Sequence, residues 1–123
     1  MRNKIKSILV LGVILIAGCY YDKEDLLYPD TGNCDTSNST YSLKVLPALQ
    51  TYGCIGCHSG SAPSGNVLLD NHANVKIYVQ NGKLYGAISH TGGYSPMPQG
   101  GNKMNNCTIS QIKAWIDAGA LNN

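Results

Sequence analysis

The chain has 123 residues, of which 13% are charged, about half the ~25% usual for soluble globular domains. This length holds one domain of ordinary size and excludes a two-domain enzyme. The formal charge of +2 owes its excess to Arg2, Lys4 and Lys6 at the extreme N-terminus; from Cys19 onward six Lys face seven Asp and Glu. A nucleic-acid binder needs a basic patch to neutralise phosphates, so no nucleic acid is expected as a partner.

Residues 1–18 read as a secretion signal. Arg2, Lys4 and Lys6 form a positive n-region, and 8–17 is an unbroken run of Ala, Gly, Val, Ile and Leu. As a helix those residues span ~15 Å, half of a ~30 Å hydrocarbon core, which suits an h-region and not a transmembrane helix. The run ends in Leu15-Ile16-Ala17-Gly18-Cys19, which resembles the bacterial lipobox, where the cysteine thiol is acylated and becomes the new N-terminus. An ordinary signal peptide followed by a chance cysteine is the plainer alternative. Acyl chains on Cys19 would hold the protein at a membrane with ~0.8 kcal/mol per buried CH₂.

Residues 19–40 lack a sustained period and are rich in Asp, Asn, Thr and Ser, the composition of a polar tether. The opening Tyr20-Tyr21-Asp22-Lys23-Glu24-Asp25 resembles Bacteroidetes lipoproteins, some of which carry acidic surface-export signals there. The expectation is an exported protein, lipid-anchored to the bacterial envelope at the outer membrane, with its face left open. Residues 41–123 form the folded domain.

Leu43, Val45, Leu46 and Leu49 cluster ahead of the first motif, with Ser42 as N-cap, Pro47 near the helix start and Gly53 at its end. Cys54-Ile55-Gly56-Cys57-His58 follows directly. C-x-x-C-H is the signature of c-type haem attachment. Two cysteines three apart on a helical turn can each add to one porphyrin vinyl group, and His58 then presents its imidazole to the iron. A zinc site would want four ligands, and His72 and His90 are isolated. A thioredoxin-like motif belongs at a strand-to-helix junction, and no strand pattern precedes Cys54. A plain Cys54–Cys57 disulfide ranks below both. Leu, Ile and Val make up 19 of the 105 residues from Cys19 onward, without any Phe. That is below the ~20% typical of well-cored chains, so a large apolar cofactor would supply missing core.

Gly60, Pro63 and Gly65 form a loop, and Val67-Leu68-Leu69 returns to the core. Asp70 is expected to cap a helix over 72–79, and a short helix follows over 83–90. His72 is expected at the surface. In the last helix Thr108 and Gln111 make a T-x-x-Q capping box, Ile109, Ile112 and Ile116 line one face, and Gly119 is the stop. Trp115 lies off that stripe and is expected to pack on the first helix or the cofactor edge. Cys34 and Cys107 remain unassigned, and in an oxidising compartment the simplest outcome is a disulfide between them.

Pro47-Ala48-Leu49, Cys54-Ile55-Gly56-Cys57-His58, Leu68-Leu69-Asp70, Ser95-Pro96-Met97-Pro98 and Trp115-Ile116-Asp117-Ala118-Gly119-Ala120 occur in that order. Over about 43–120 the chain resembles the single-haem class I cytochrome c domain of the planctomycete-type group found in Bacteroidetes lipoproteins. The resemblance implies an all-α fold, with short helices and loops wrapped around one covalently bound haem c. It also implies thioethers at Cys54 and Cys57, His/Met iron ligation and electron transfer to redox partner proteins. A loop carbonyl in the Ala62-Pro63 region would accept the Nδ1 proton of His58. The compact loop between His58 and Met97 departs from the pattern and would leave part of the haem exposed.

Three residues compete for the position opposite His58. Met97 comes first, because Pro96 and Pro98 stiffen the backbone presenting it; His90 is the runner-up and Met104 the last. A six-coordinate iron leaves no place for substrate, so an electron carrier is expected and not an enzyme. The alternative is a haem enzyme or a gas or redox sensor with an open or displaceable distal ligand.

Overall fold

The computed structural model describes residues 34–123; the leader, Cys19 and the first part of the tether lie outside the described residues. These fold as helices and loops, without a strand among them. A π-helical turn, Tyr41–Val45, runs straight into α1 (Leu46–Thr51). Then come α2 (Cys54–Cys57), a 3-10 turn (Ser64–Asn66), α3 (His72–Gln80), α4 (Lys83–Ser89) and α5 (Asn106–Asp117). No helix of the described residues is long and apolar enough to cross a membrane.

The caps sit a few residues from where side-chain type alone places them. Thr40, not Ser42, caps the first helical segment: its extended backbone lets Oγ1 accept from the Leu43 N–H at 3.2 Å. Ser42 already lies inside the turn, and its N–H donates to the Asn123 carbonyl. The widened turn falls just ahead of Pro47. Proline has no N–H and crowds the carbonyl four residues back, so the regular i to i−4 ladder cannot run through this point. Asn71, not Asp70, caps α3, its Oδ1 accepting from the Asn74 N–H. Asp70 instead braces that cap by accepting from the side-chain amides of Asn71 and Asn74.

The last helix begins earlier than the T-x-x-Q pattern predicts. Asn105 has the extended backbone of a cap, and its Oδ1 accepts from the Thr108 N–H at 2.7 Å. Asn is as good a capping residue as Thr, and starting there places Cys107 inside the first turn. Gln111, released from capping, reaches the Asp35 carbonyl at 3.0 Å. The C-terminus closes at Gly119 as a Schellman motif: Gly119 N–H donates to Ile116 O and Ala120 N–H to Trp115 O. Gly119 has φ +96, a conformation that glycine adopts without steric cost.

The core gathers Tyr41, Val45, Ala48 and Leu49 with Leu69, Val75, Leu84, Ile88 and Met104. Ile109, Ile112, Trp115 and Ala120 complete it. α5 lies on the Tyr41–Val45 turn, and α4 packs against both α3 and α5. The buried face of α5 is Ile109, Ile112 and Trp115, with Ile116 only partly covered. Trp115 therefore displaces Ile116 from the centre of the stripe. Its Nε1 donates to the Leu121 carbonyl at 2.8 Å, which satisfies the indole when it is buried.

His72 is not a surface residue. Its ring meets Tyr41 edge-on at 4.9 Å and lies 6.0 Å from Trp115, while Nε2 donates to the Ala120 carbonyl at 2.9 Å. The Tyr41 hydroxyl is buried without a hydrogen-bond partner among the described residues. Burial, and secondarily the Asp70 charge, pushes its phenol pKa up. Cys34 and Cys107 are joined by a disulfide with Cα atoms 5.3 Å apart. That bond and the Gln111–Asp35 contact hold residues 34 and 35 against α5.

Candidate functional site

The Cys54–Cys57 turn is set by Gly53, whose φ of +72 reverses the chain between α1 and α2. An L side chain resists that conformation and glycine does not. The turn is closed by the His58 N–H donating to the Cys54 carbonyl at 2.9 Å. Cys54 is half-buried and Cys57 exposed, and both are free thiols. Burial pushes the Cys54 thiol pKa up, with a smaller push from the neighbouring Cys57.

His58 sits at the end of that turn, 9% exposed. Its Nδ1 lies 3.1 Å from the Ser64 carbonyl and 3.2 Å from the Val67 carbonyl. Carbonyl oxygens can only accept, so Nδ1 carries a proton, and in the neutral ring that tautomer puts the lone pair on Nε2. The Ala62-Pro63 region, expected to supply that acceptor, is not the partner. The 3-10 turn at Ser64–Asn66 carries the chain past Pro63 and brings in the carbonyls of Ser64 and Val67. The Leu69 N–H donates back to the His58 carbonyl at 2.7 Å, so the motif and the loop after it brace each other. Tyr78 of α3 steadies that loop, its hydroxyl donating to Asn66 O and accepting from the Leu68 N–H.

The residues considered as partners to His58 fall into three different settings. Met97 is half-buried in the loop after α4, and its N–H donates to the Ala87 carbonyl at 3.0 Å. The Met97-Pro98 peptide bond is cis. His90 is exposed, and its Nε2 is engaged with the Met97 carbonyl at 2.9 Å. Met104 is 1% exposed within the hydrophobic core, where a flexible thioether fills volume. Of the three, Met97 alone has both a restrained backbone and a thioether left outside the core.

Among the described residues no three His, Cys, Asp or Glu side chains converge as a metal-ion ligand set. What the turn offers is two unpaired thiols three apart, followed at once by an imidazole whose Nδ1 is tied to main-chain carbonyls and whose Nε2 has no hydrogen-bond partner among the described residues. Sequence reasoning missed the carbonyls of Ser64 and Val67 and the tie between His90 and Met97. Main-chain acceptors carry no residue-type signature, so nothing in the composition could have pointed to them. The chain matches no family model, no curated protein and no solved structure.

Proposed function

We infer that this chain is an electron carrier that holds one haem c through thioethers at Cys54 and Cys57, with His58 and Met97 as iron ligands. The observation that carries the reading is the shared Nδ1 hydrogen bond of His58 to the Ser64 and Val67 carbonyls. A histidine ligand needs its far nitrogen tied to an acceptor, which fixes the tautomer and makes the ligating nitrogen more basic. Here that tie is built on the residue next to two free cysteines.

The donor chemistry fits haem better than it fits zinc. Only three candidate donors stand on the turn, and structural zinc takes four. The half-buried thioether of Met97 is a soft donor that would suit haem iron as the second protein ligand. Bound haem would supply a one-electron couple whose potential is raised by thioether ligation. The rest of the chain's work is positional: Gly53 orients the thiols, the 64–67 loop orients His58, and the backbone of Met97 is restrained between two prolines. With His58 and Met97 both serving as donors to the iron, no position would be left for a substrate, which favours a carrier over an enzyme. The lipobox-like Cys19 would keep the carrier at the envelope beside its redox partner proteins.

The test is the visible spectrum of protein made in a host with c-type maturation. Acidic acetone should leave the colour on the protein, with a pyridine haemochrome of the thioether type, and the native low-spin spectrum should not respond to CO. A colourless precipitate would sink the reading. A spectrum that shifts at once with CO would instead point to an open distal position.

A further inference from the structure

α4 ends in a Schellman motif in which the residue after the helix is not glycine. The His90 N–H donates to Ala87 O and the Thr91 N–H to Gly86 O, leaving His90 at φ +57 and ψ +37. Glycine is the usual occupant of that left-handed position, and a side chain there is strained. The imidazole of His90 makes use of the geometry. Its Nε2 meets the Met97 carbonyl at 2.9 Å, seven residues on. A carbonyl can only accept, so Nε2 is the donor.

The same helix end grips the other side of Met97. Ala87 O, already accepting from His90 N–H at 3.4 Å, accepts the Met97 N–H at 3.0 Å. Pro96 and Pro98 have no N–H, so Met97 holds the one main-chain donor between Ser95 and Gln99. Both polar groups of that residue are thus tied to the C-terminal end of α4. Tyr94 secures the limb leading in: its ring lies so close to α4 that a Cβ on Gly86 would come within 2.2 Å of it.

We propose that His90 is a positioning residue for Met97, a side-chain clamp on the Met97 carbonyl that keeps its thioether on the iron. This rests on Met97 being the distal ligand, as inferred above. His90 acts through the backbone of Met97 and touches no reacting atom. Because it sits at a strained position, its contribution to positioning separates from any contribution to folding. Replacing it by glycine relieves the backbone while removing the clamp.

The experiment compares the haem-loaded wild type with His90→Gly and His90→Gln. Three properties are followed: the thermal midpoint, the near-infrared sulfur-to-iron band and the affinity of the ferric protein for added imidazole. Amide hydrogen exchange at Met97, read by NMR, follows the clamp without passing through the iron. Loss of one neutral hydrogen bond, ~1 kcal/mol net, corresponds to about a five-fold change. His90→Gly should keep or raise the thermal midpoint, yet bind imidazole about five-fold more tightly and exchange the Met97 amide about five-fold faster. His90→Gln, whose amide can donate, should return both toward wild type. Unchanged imidazole affinity and unchanged exchange in a folded His90→Gly would overturn the clamp, as would equal changes in both variants that follow lost stability. A wild type without the sulfur-to-iron band removes Met97 as ligand, and the clamp with it. A band that is present but indifferent to His90→Gly removes the clamp alone.

Discussion

Removing the Cys34–Cys107 disulfide should cost this domain a large share of its stability. The bond spans 73 residues, and in the chain-entropy model closing a loop of that length restricts the unfolded chain by about 4 kcal/mol at 25 °C. A domain of this size has roughly 5–15 kcal/mol in all. Cys34 is half-buried, so little native packing is lost with the sulfur, and the effect should run through the unfolded state. The perturbation is the Cys34→Ser, Cys107→Ser double variant, measured by denaturant and thermal unfolding against the oxidised parent. The thermal midpoint should fall by roughly 15–30 °C, from about 4–8 °C per kcal/mol for a small domain. The denaturant m-value should rise, because an uncrosslinked chain exposes more surface on unfolding. A loss below about 1 kcal/mol with m unchanged would refute the entropic account. Two freely alkylated thiols at these positions in the purified, oxidised parent would refute the bond itself.

Met97→Ala should abolish the sulfur-to-iron band and open the iron to CO. Met104→Ala, emptying a core site that is 1% exposed, should keep the band and cost about 2–5 kcal/mol in denaturant unfolding; the reverse pattern would make Met104 the ligand. In haem-free protein Cys57 should alkylate ahead of Cys54, since Cys57 is exposed and burial raises the Cys54 thiol pKa. The thiolate is the reacting form, so a raised pKa leaves less of it at any pH below that value; peptide-resolved mass spectrometry after timed labelling reads the order, and equal rates would contradict it. Gly86→Ala should destabilise by about 1–3 kcal/mol, because the new Cβ meets the Tyr94 ring at 2.2 Å. In a Tyr94→Ala background the same change should become neutral or stabilising, since alanine is the better helix former; a penalty that persists there would mean the clash lies elsewhere.

Much of the local structure was legible in residue order. Gly53 before Cys54 and Gly119 after the last helix stop their helices where glycine's freedom predicts, because a positive φ is a local property of the chain. The helices beginning at His72 and Lys83 also fall where the pattern placed them. The caps were less legible: Ser42, Asp70 and Thr108 all have capping side chains, yet Thr40, Asn71 and Asn105 hold the caps. In a chain so rich in Asn, Ser and Thr, several neighbours compete for each helix start. The winner is the one whose backbone the surrounding packing leaves extended.

Three things belonged to the sequence alone: the C-x-x-C-H spacing, the apolar run at 8–17 with its lipobox-like end, and the arithmetic that leaves Cys34 and Cys107 as a pair. Each depends on covalent distance along the chain or on residue type. Tertiary structure decided the rest. It put His72 against Tyr41 and Trp115 instead of at the surface, and it buried Met104 while leaving Met97 at the edge. It also chose the carbonyls of Ser64 and Val67 for His58, and that of Met97 for His90. Every residue but proline carries the same main-chain donor and acceptor, so which pairs meet is set by how helices pack and loops close. No residue letter records that.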